Sequence, residues 1–285
     1  MICDFRGDLL SRLPPTSLEM MVSAAHGARA FGHREDKFQE QLERKVSDLC
    51  GFEDALFVPT CTVANQITIR IRCSPGESVL AASDSHLATI EGQSTTALTG
   101  ALVEALDGER GHLTPAGVLS RLKAPRDDGT RRTTLVWLEN THMRAGGTLM
   151  PQGDQKKISD HCASVGVAIH LDGSRLWNAA VAQGVPLSQV SDGVQSIALS
   201  LNKALGAPVG SVLVGSAEFI REAVRVRQVY GAAWMPIGIL AAAALGALEN
   251  FSERLDTDNR RARCFLATYL ASICSESKWR SLTRT

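Results

Sequence analysis

The chain has 285 residues, 44% of them hydrophobic and 21% charged, an ordinary globular composition that suffices for one large core or for a large domain with a smaller one. Thirty basic residues balance thirty acidic ones, so there is no net field to draw in a polyanion, which argues against nucleic-acid binding. Seven cysteines, an odd number without CxxC pairs in a chain too large to need stapling, predict reduced thiols and an intracellular, cytoplasmic protein.

The N-terminus, Met1-Ile-Cys-Asp-Phe-Arg6, carries charges where a secretion signal would have an apolar run. The first 50 residues read as helical and peripheral. Short apolar runs then recur at Ala55–Val58, Ser78–Ala82, Ala101–Leu106, Thr134–Leu138, Val167–Leu171 and Ile197–Leu201. Amphipathic stretches such as Pro115–Lys123 and Asp154–Val165 lie between them at helical spacing. Alternation of this kind predicts an α/β fold, a mostly parallel sheet with helices on both faces and right-handed crossovers. One connection breaks the rule. Too few residues, among them Gly206, Pro208 and Gly210, separate Ile197–Leu201 from Ser211–Val214 to hold a helix, so one antiparallel strand is expected. Pro125–Arg132 reads as an exposed loop. Between Arg227 and Glu249 lie 21 uncharged residues, but Pro236, Gln228 and several Gly and Ala interrupt them, and a buried helix over about Ile237–Leu248 is expected instead of a membrane span. Residues after about Asn250 read as helical and peripheral.

Chemistry-bearing residues cluster where the predicted strands end. In Phe57-Val-Pro-Thr60-Cys61-Thr62-Val-Ala-Asn65 a strand turns into a helix, whose free N–H groups and two threonine hydroxyls suit a phosphate, although the glycines and lysine of a P-loop are missing. His86 follows Ser78–Ala82 and His142 follows Thr134–Leu138; rings there either pack structurally or face a planar ligand. Asp172 ends the run Val167-Ala-Ile-His-Leu, where an ionised carboxylate requires a donor or cation; it is either a helix cap or a site residue. Lys203 follows the run Ile197–Leu201 and precedes small residues that let a ligand approach the backbone. Its amine either snorkels to solvent or serves as a Schiff-base nucleophile. His170-x-Asp172 offers two metal ligands with only His142 as an obvious third, so no catalytic metal is expected. The sequence contains no G-x-S-x-G elbow for a serine triad.

Taken in order, these segments resemble the threonine aldolase / β-eliminating lyase family of pyridoxal-phosphate enzymes. The resemblance runs through Asp4-Phe-Arg6-Gly-Asp8, Phe31-Gly-His-Arg-Glu-Asp36, Leu56–Gln66, Ser85-His86, Leu138-Glu-Asn-Thr-His142 with Gly146-Gly147, His170-Leu-Asp-Gly-Ser-Arg175-Leu-Trp-Asn-Ala-Ala180, Asn202–Gly210 and Gly238–Ala243. It implies fold type I of the pyridoxal-phosphate enzymes and cleavage of the Cα–Cβ bond of a β-hydroxy-α-amino acid, threonine giving glycine and acetaldehyde. A β-eliminating lyase, a racemase or a catalytically weak member are the alternatives within it.

Carried onto this chain, the resemblance makes Lys203 the Schiff-base lysine and Asp172 the partner of the pyridinium nitrogen. His86 becomes the ring stacked on the cofactor, and Cys61 and Thr62 become phosphate ligands. Arg175, with Asp8, binds the substrate carboxylate, and His142 sits beside the β-hydroxyl. It also implies a homodimer or homotetramer whose sites lie at subunit boundaries. Departures from the family pattern are Gly7 in place of serine, Asn202 in place of the serine before the lysine, and Gln228 and Met235 in place of two cations directed at a phosphate. The expected division is an N-terminal helical arm over 1–50, a cofactor-binding domain over 51–250, and a partial C-terminal segment over 251–285 where relatives continue through a small domain.

Overall fold

A computed structural model describes residues 7–27, 34–122 and 132–282, with side chains through residue 269. The first two helices are α1 (Pro15–Ala25) and α2 (Lys37–Cys50). Strands and helices then alternate: β1 (Asp54–Val58), α3 (Cys61–Arg72), β2 (Ser78–Ala82), α4 (Gly92–Thr99), β3 (Leu102–Leu106), α5 (Pro115–Leu122), β4 (Thr133–Glu139) and α6 (Gln152–Ser164). They continue through β5 (Ala168–Asp172), α7 (Leu176–Gln183), α8 (Leu187–Val190), β6 (Ser196–Ser200) and β7 (Ser211–Gly215) to α9 (Ala217–Val229), α10 (Gly238–Ala247) and α11 (Phe251–Leu282).

The seven strands form one sheet in the order β1-β7-β6-β5-β4-β2-β3. The pairs β3/β2, β2/β4, β4/β5 and β5/β6 are parallel. Only β7 runs the other way, pairing antiparallel with both β6 and β1, as the short connection after β6 requires. Because β7 is reversed, its first residue, Ser211, lies opposite both Val58 and Ser200, the ends of its neighbours. The carboxyl ends of β1, β2, β4, β5 and β6 therefore share one edge with the start of β7, where ligands of open α/β sheets bind.

Helices cover both faces. One core joins the sheet to α2, α6, α7 and α10, and a second packs β1, β6 and β7 against α3 and α9. A third lies under β2 and β4, with Ile69 of α3 and Cys73 just after it. Placement of α2 differs from the peripheral position expected of it. Asp36 caps its start, accepting from the N–H of Phe38 (2.9 Å) and Gln39 (3.3 Å). Leu42, Val46 and Cys50, one turn apart, then go into the main core. The buried helix expected near residues 237–248 is α10, whose alanines pack beside α1. Arg132 apart, the loop expected at Pro125–Arg132 lies outside the described residues, as do Asp4–Arg6 and Phe31–His33. No helix among the described residues is long and apolar enough to cross a membrane. Cys50, Cys61, Cys73, Cys162 and Cys264 are free thiols.

The N-terminal segment crosses the turn that carries Lys203. Gly206 has a φ of +76°, and a Cβ there would lie 2.5 Å from the Arg12 carbonyl oxygen. The small residue expected to admit a ligand thus admits the chain itself.

Candidate active site

Asp172, the last residue of β5, is 2% exposed. Its Oδ1 accepts the Ser174 N–H (3.0 Å) and its Oδ2 accepts Nδ2–H of Asn65 from α3 (3.2 Å). It does not cap α7, which starts at Leu176 without a side-chain cap. The same Asn65 amide donates to Glu91 Oε1 (2.9 Å), so one neutral group serves two buried carboxylates. With Nδ2 so engaged, Asn65 Oδ1 must accept from His170 Nε2 (3.1 Å), while His170 Nδ1 meets the Ser196 hydroxyl (2.8 Å). Burial pushes His170 down to about 4, so it is a neutral brace with both ring nitrogens occupied rather than a ligand in a His170-x-Asp172 metal pair.

Glu91 collects four donors. Besides Asn65 these are the Thr62 hydroxyl (3.1 Å), Gln66 Nε2 (2.9 Å) and His86 Nδ1 (2.9 Å). His86 lies just past β2, and its N–H donates to Oε2 of Glu139, the last residue of β4 (2.8 Å). Glu139 stands directly beside Asp172 in the sheet register. Burial, reinforced by the Asp172 charge, raises the Glu139 carboxyl. His86 thus sits among three carboxylates, and donor atoms of His86, Glu91 and Asp172 lie within 4.8 Å of one another. Its hydrogen bond to Glu91 raises its pKa above the ordinary 6.5, against the opposing effect of burial. A raised folded-state value means that the ion pair's stabilisation is complete below about pH 6.5 and fades as pH climbs through that value. The gap between the urea midpoints of the unliganded protein and of Glu91→Gln is expected to be widest at low pH and to narrow above neutrality to the constant cost of the neutral donors that lose an acceptor. A gap that stays constant with pH would refute the charged pair.

At the start of α3, Thr60 Oγ1 accepts the Val63 N–H (3.1 Å) and Thr62 Oγ1 turns to Glu91, so both threonine hydroxyls are already engaged. The anion-binding capacity expected of this turn therefore rests on the first-turn N–H groups, which have no intrahelical partner. Cys61 Sγ receives the Ser211 hydroxyl (3.2 Å). Burial raises its thiol to about 11, with the Asp172 carboxylate adding to the rise and Lys203 opposing it. The thiol therefore lies within the electrostatic reach of both residues.

Arg175 donates from Nε and Nη2 to the two Asp8 oxygens, each at 2.8 Å, a bidentate fork. His142 is set one step further out. It reaches the cluster only through Glu139 Oε2, 3.8 Å from its Nε2, with Asp84 Oδ1 at 3.5 Å. The structure thus joins Asp172, His86 and Thr62 through Glu91 and Asn65, sets Cys61 at the start of α3 and Lys203 past β6 on the same edge, and leaves Arg175–Asp8 and His142 on the flanks.

Sequence reasoning missed Asn65, Glu91 and Glu139 as site residues. Glu139 could have been found from its place at the end of a buried strand, the signal that singled out Asp172. Glu91 follows His86 by five residues, a spacing that meets on a π-helical turn, and Leu87–Glu91 is one.

The model of the beta-eliminating lyase family matches residues 4–278. A probable low-specificity L-threonine aldolase 2 of Arabidopsis thaliana is 32% identical over 263 residues, covering 91% of this chain and 74% of the relative. The low specificity L-threonine aldolase of Escherichia coli (strain K12) is 32% identical over 259 residues, covering 91% and 76%. Among solved structures, a threonine aldolase of Leishmania major superposes with a TM-score of 0.83 at 24% identity, covering 93% of this chain and 78% of its own.

Proposed function

This chain belongs to the beta-eliminating lyase family, and from that membership we propose that it is a pyridoxal phosphate-dependent carbon–carbon lyase cleaving the Cα–Cβ bond of a β-hydroxy-α-amino acid, with threonine or allo-threonine giving glycine and acetaldehyde. One observation carries the reading: the buried Asp172 carboxylate at the end of β5, the position of Lys203 just past β6 and the start of α3 at Cys61 lie on the same carboxyl edge of the sheet.

The donor set fits the cofactor. Asp172 has only neutral donors around Oδ1 and Oδ2, and a second carboxylate close by, so it is suited to accept from a protonated ring nitrogen. Lys203 would hold the cofactor through its amine, His86 would lie against the ring, and the N–H groups of Cys61 and Thr62 would take the phosphate. When bound, pyridoxal phosphate supplies the electron sink that allows a bond at the substrate's Cα to break.

The remaining work falls to this chain's own side chains. Arg175 binds the substrate carboxylate, with Asp8 fixing the plane of its guanidinium. The β-hydroxyl proton goes to His142, to His86, or to a water that one of them orients, and Glu139 lies between them, accepting the backbone N–H of His86 and standing 3.8 Å from His142 Nε2.

We also read the active form as a homodimer or homotetramer in the cytoplasm. The exposed Val229, Trp234 and Met235, which include one of the departures from the family pattern, are the surface to be covered. The division into an arm over 1–50, a cofactor domain over 51–250 and a C-terminal segment over 251–285 belongs to the same proposal.

The test is an absorption spectrum of the purified protein with pyridoxal phosphate, alongside Lys203→Ala. A visible band in the first and not the second is expected, with an aldehyde and glycine as products from threonine. Identical spectra would remove the cofactor assignment, and pyruvate with ammonia would move the reaction to β-elimination.

A further inference from the structure

Lys203 lies in the turn that follows β6, and side chains from two other elements hold the backbone on either side of it. Before it, Trp177 Nε1 of α7 donates to the Ser200 carbonyl (2.9 Å), while the Ser200 hydroxyl donates to Asn202 Oδ1 (2.9 Å). After it, Arg254 Nη1 of α11 donates to the Leu205 carbonyl (3.2 Å). Between these points the turn closes on itself, the Gly206 N–H donating to the Lys203 carbonyl (2.8 Å) and the Ala207 N–H to the Leu201 carbonyl (3.0 Å).

Both holds meet at the first turn of α11. Phe251 packs edge to face on Trp177, with centroids 5.2 Å apart and planes at 74°. Three residues on, the other terminal nitrogen of Arg254, Nη2, donates to the carbonyl of Ala247, the last residue of α10. Carbonyls at a helix C-terminus lack an intrahelical partner and carry partial negative charge, which suits a guanidinium whose two acceptors are carbonyls and not carboxylates. Leu255 and Leu205, each 1% exposed, seat the helix and the turn in the same core. One planar head thus ties the end of the Lys203 turn to α10 through α11.

We propose that Arg254 is a positioning residue for Lys203, fixing the turn that carries the amine by bridging the Leu205 and Ala247 carbonyls. The catalytic weight of this role rests on the proposed function of Lys203; the restraint on the turn does not.

Hydrogen exchange of the full-length protein, with and without pyridoxal phosphate, separates this restraint from a plain cap on α10. Arg254→Met keeps an unbranched stem and removes the donors, and Arg254→Lys keeps the charge as one point donor where the guanidinium spans two carbonyls. The amides of β7, a strand paired on both sides, report opening of the sheet as a whole. Measured against them in the cofactor-free protein, exchange of the Gly206 and Ala207 amides is expected to quicken about 10-fold in Arg254→Met and by less in Arg254→Lys. An unchanged ratio in both variants would overturn the proposal, and if Arg254→Met does not fold, the ratio in Arg254→Lys decides alone. In the loaded enzyme, Arg254→Met is expected to lower kcat on threonine about 10-fold while KM moves less than about threefold, because binding the substrate carboxylate falls to Arg175; Arg254→Lys should recover part of kcat. A raised exchange ratio with kcat untouched leaves Arg254 positioning the turn, and it is then the catalytic assignment of Lys203 that fails.

Discussion

An Asp172→Asn variant is expected to fold like the wild type and to lose about 10²–10⁴-fold in kcat/KM for amino-acid cleavage. The substitution preserves shape, and the new Oδ1 still accepts the Ser174 N–H, while the new amide nitrogen replaces Oδ2 and gives up the hydrogen bond from Asn65, which retains Glu91. What disappears is the negative charge that the proposed function pairs with the cofactor's ring nitrogen. Removing one member of a buried charge pair costs about 3–5 kcal/mol. At 1.36 kcal/mol per decade of rate, that cost gives the range stated. Steady-state aldehyde release measures it, with a urea titration confirming the fold. A loss within about threefold would mean that Asp172 does not act at the reacting centre, despite being 2% exposed at the end of β5.

A second variant, Glu91→Ala, should destabilise the unliganded protein by about 3–5 kcal/mol. Four donors converge on this carboxylate, and each one left unsatisfied in the interior costs about 1–3 kcal/mol. Two of them are partly spared, since Asn65 retains Asp172 and Gln66 retains the Thr95 hydroxyl, which keeps the total at the lower end. Relief of repulsion with Asp172 works in the opposite direction. The donors win, because Glu91 touches them at 2.9–3.1 Å with both of its oxygens and is 1% exposed. The shift is read from the urea midpoint. A change below about 1 kcal/mol would show that repulsion, not hydrogen bonding, governs the cluster.

The two residues differ in how visible they were. Asp172 was legible because a charge that ends an apolar run has few uses. So was the reversal of β7, since the connection after β6 has no room for a crossover helix. Glu91 was not legible, because three of its partners come from α3, a separate element, and its spacing to His86 has meaning only on a π-helical turn, which ordinary helical periodicity does not register. The threonine hydroxyls misled for a related reason. Composition at a helix start announces hydroxyls without saying that one caps Val63 and another belongs to Glu91. The peripheral position expected of α2 failed because its charged residues dominate the local average, while the stripe of Leu42, Val46 and Cys50 decides where it packs.

The stretch before α1 reaches the site twice, through the salt bridge from Asp8 to Arg175 and through the Arg12 carbonyl lying over Gly206. The aim of the guanidinium is therefore set partly by a segment far from it in sequence. If Arg175 holds the substrate carboxylate as proposed, amino-acid preference will shift with changes in that leading stretch alone, a remote handle that leaves the acidic centre untouched.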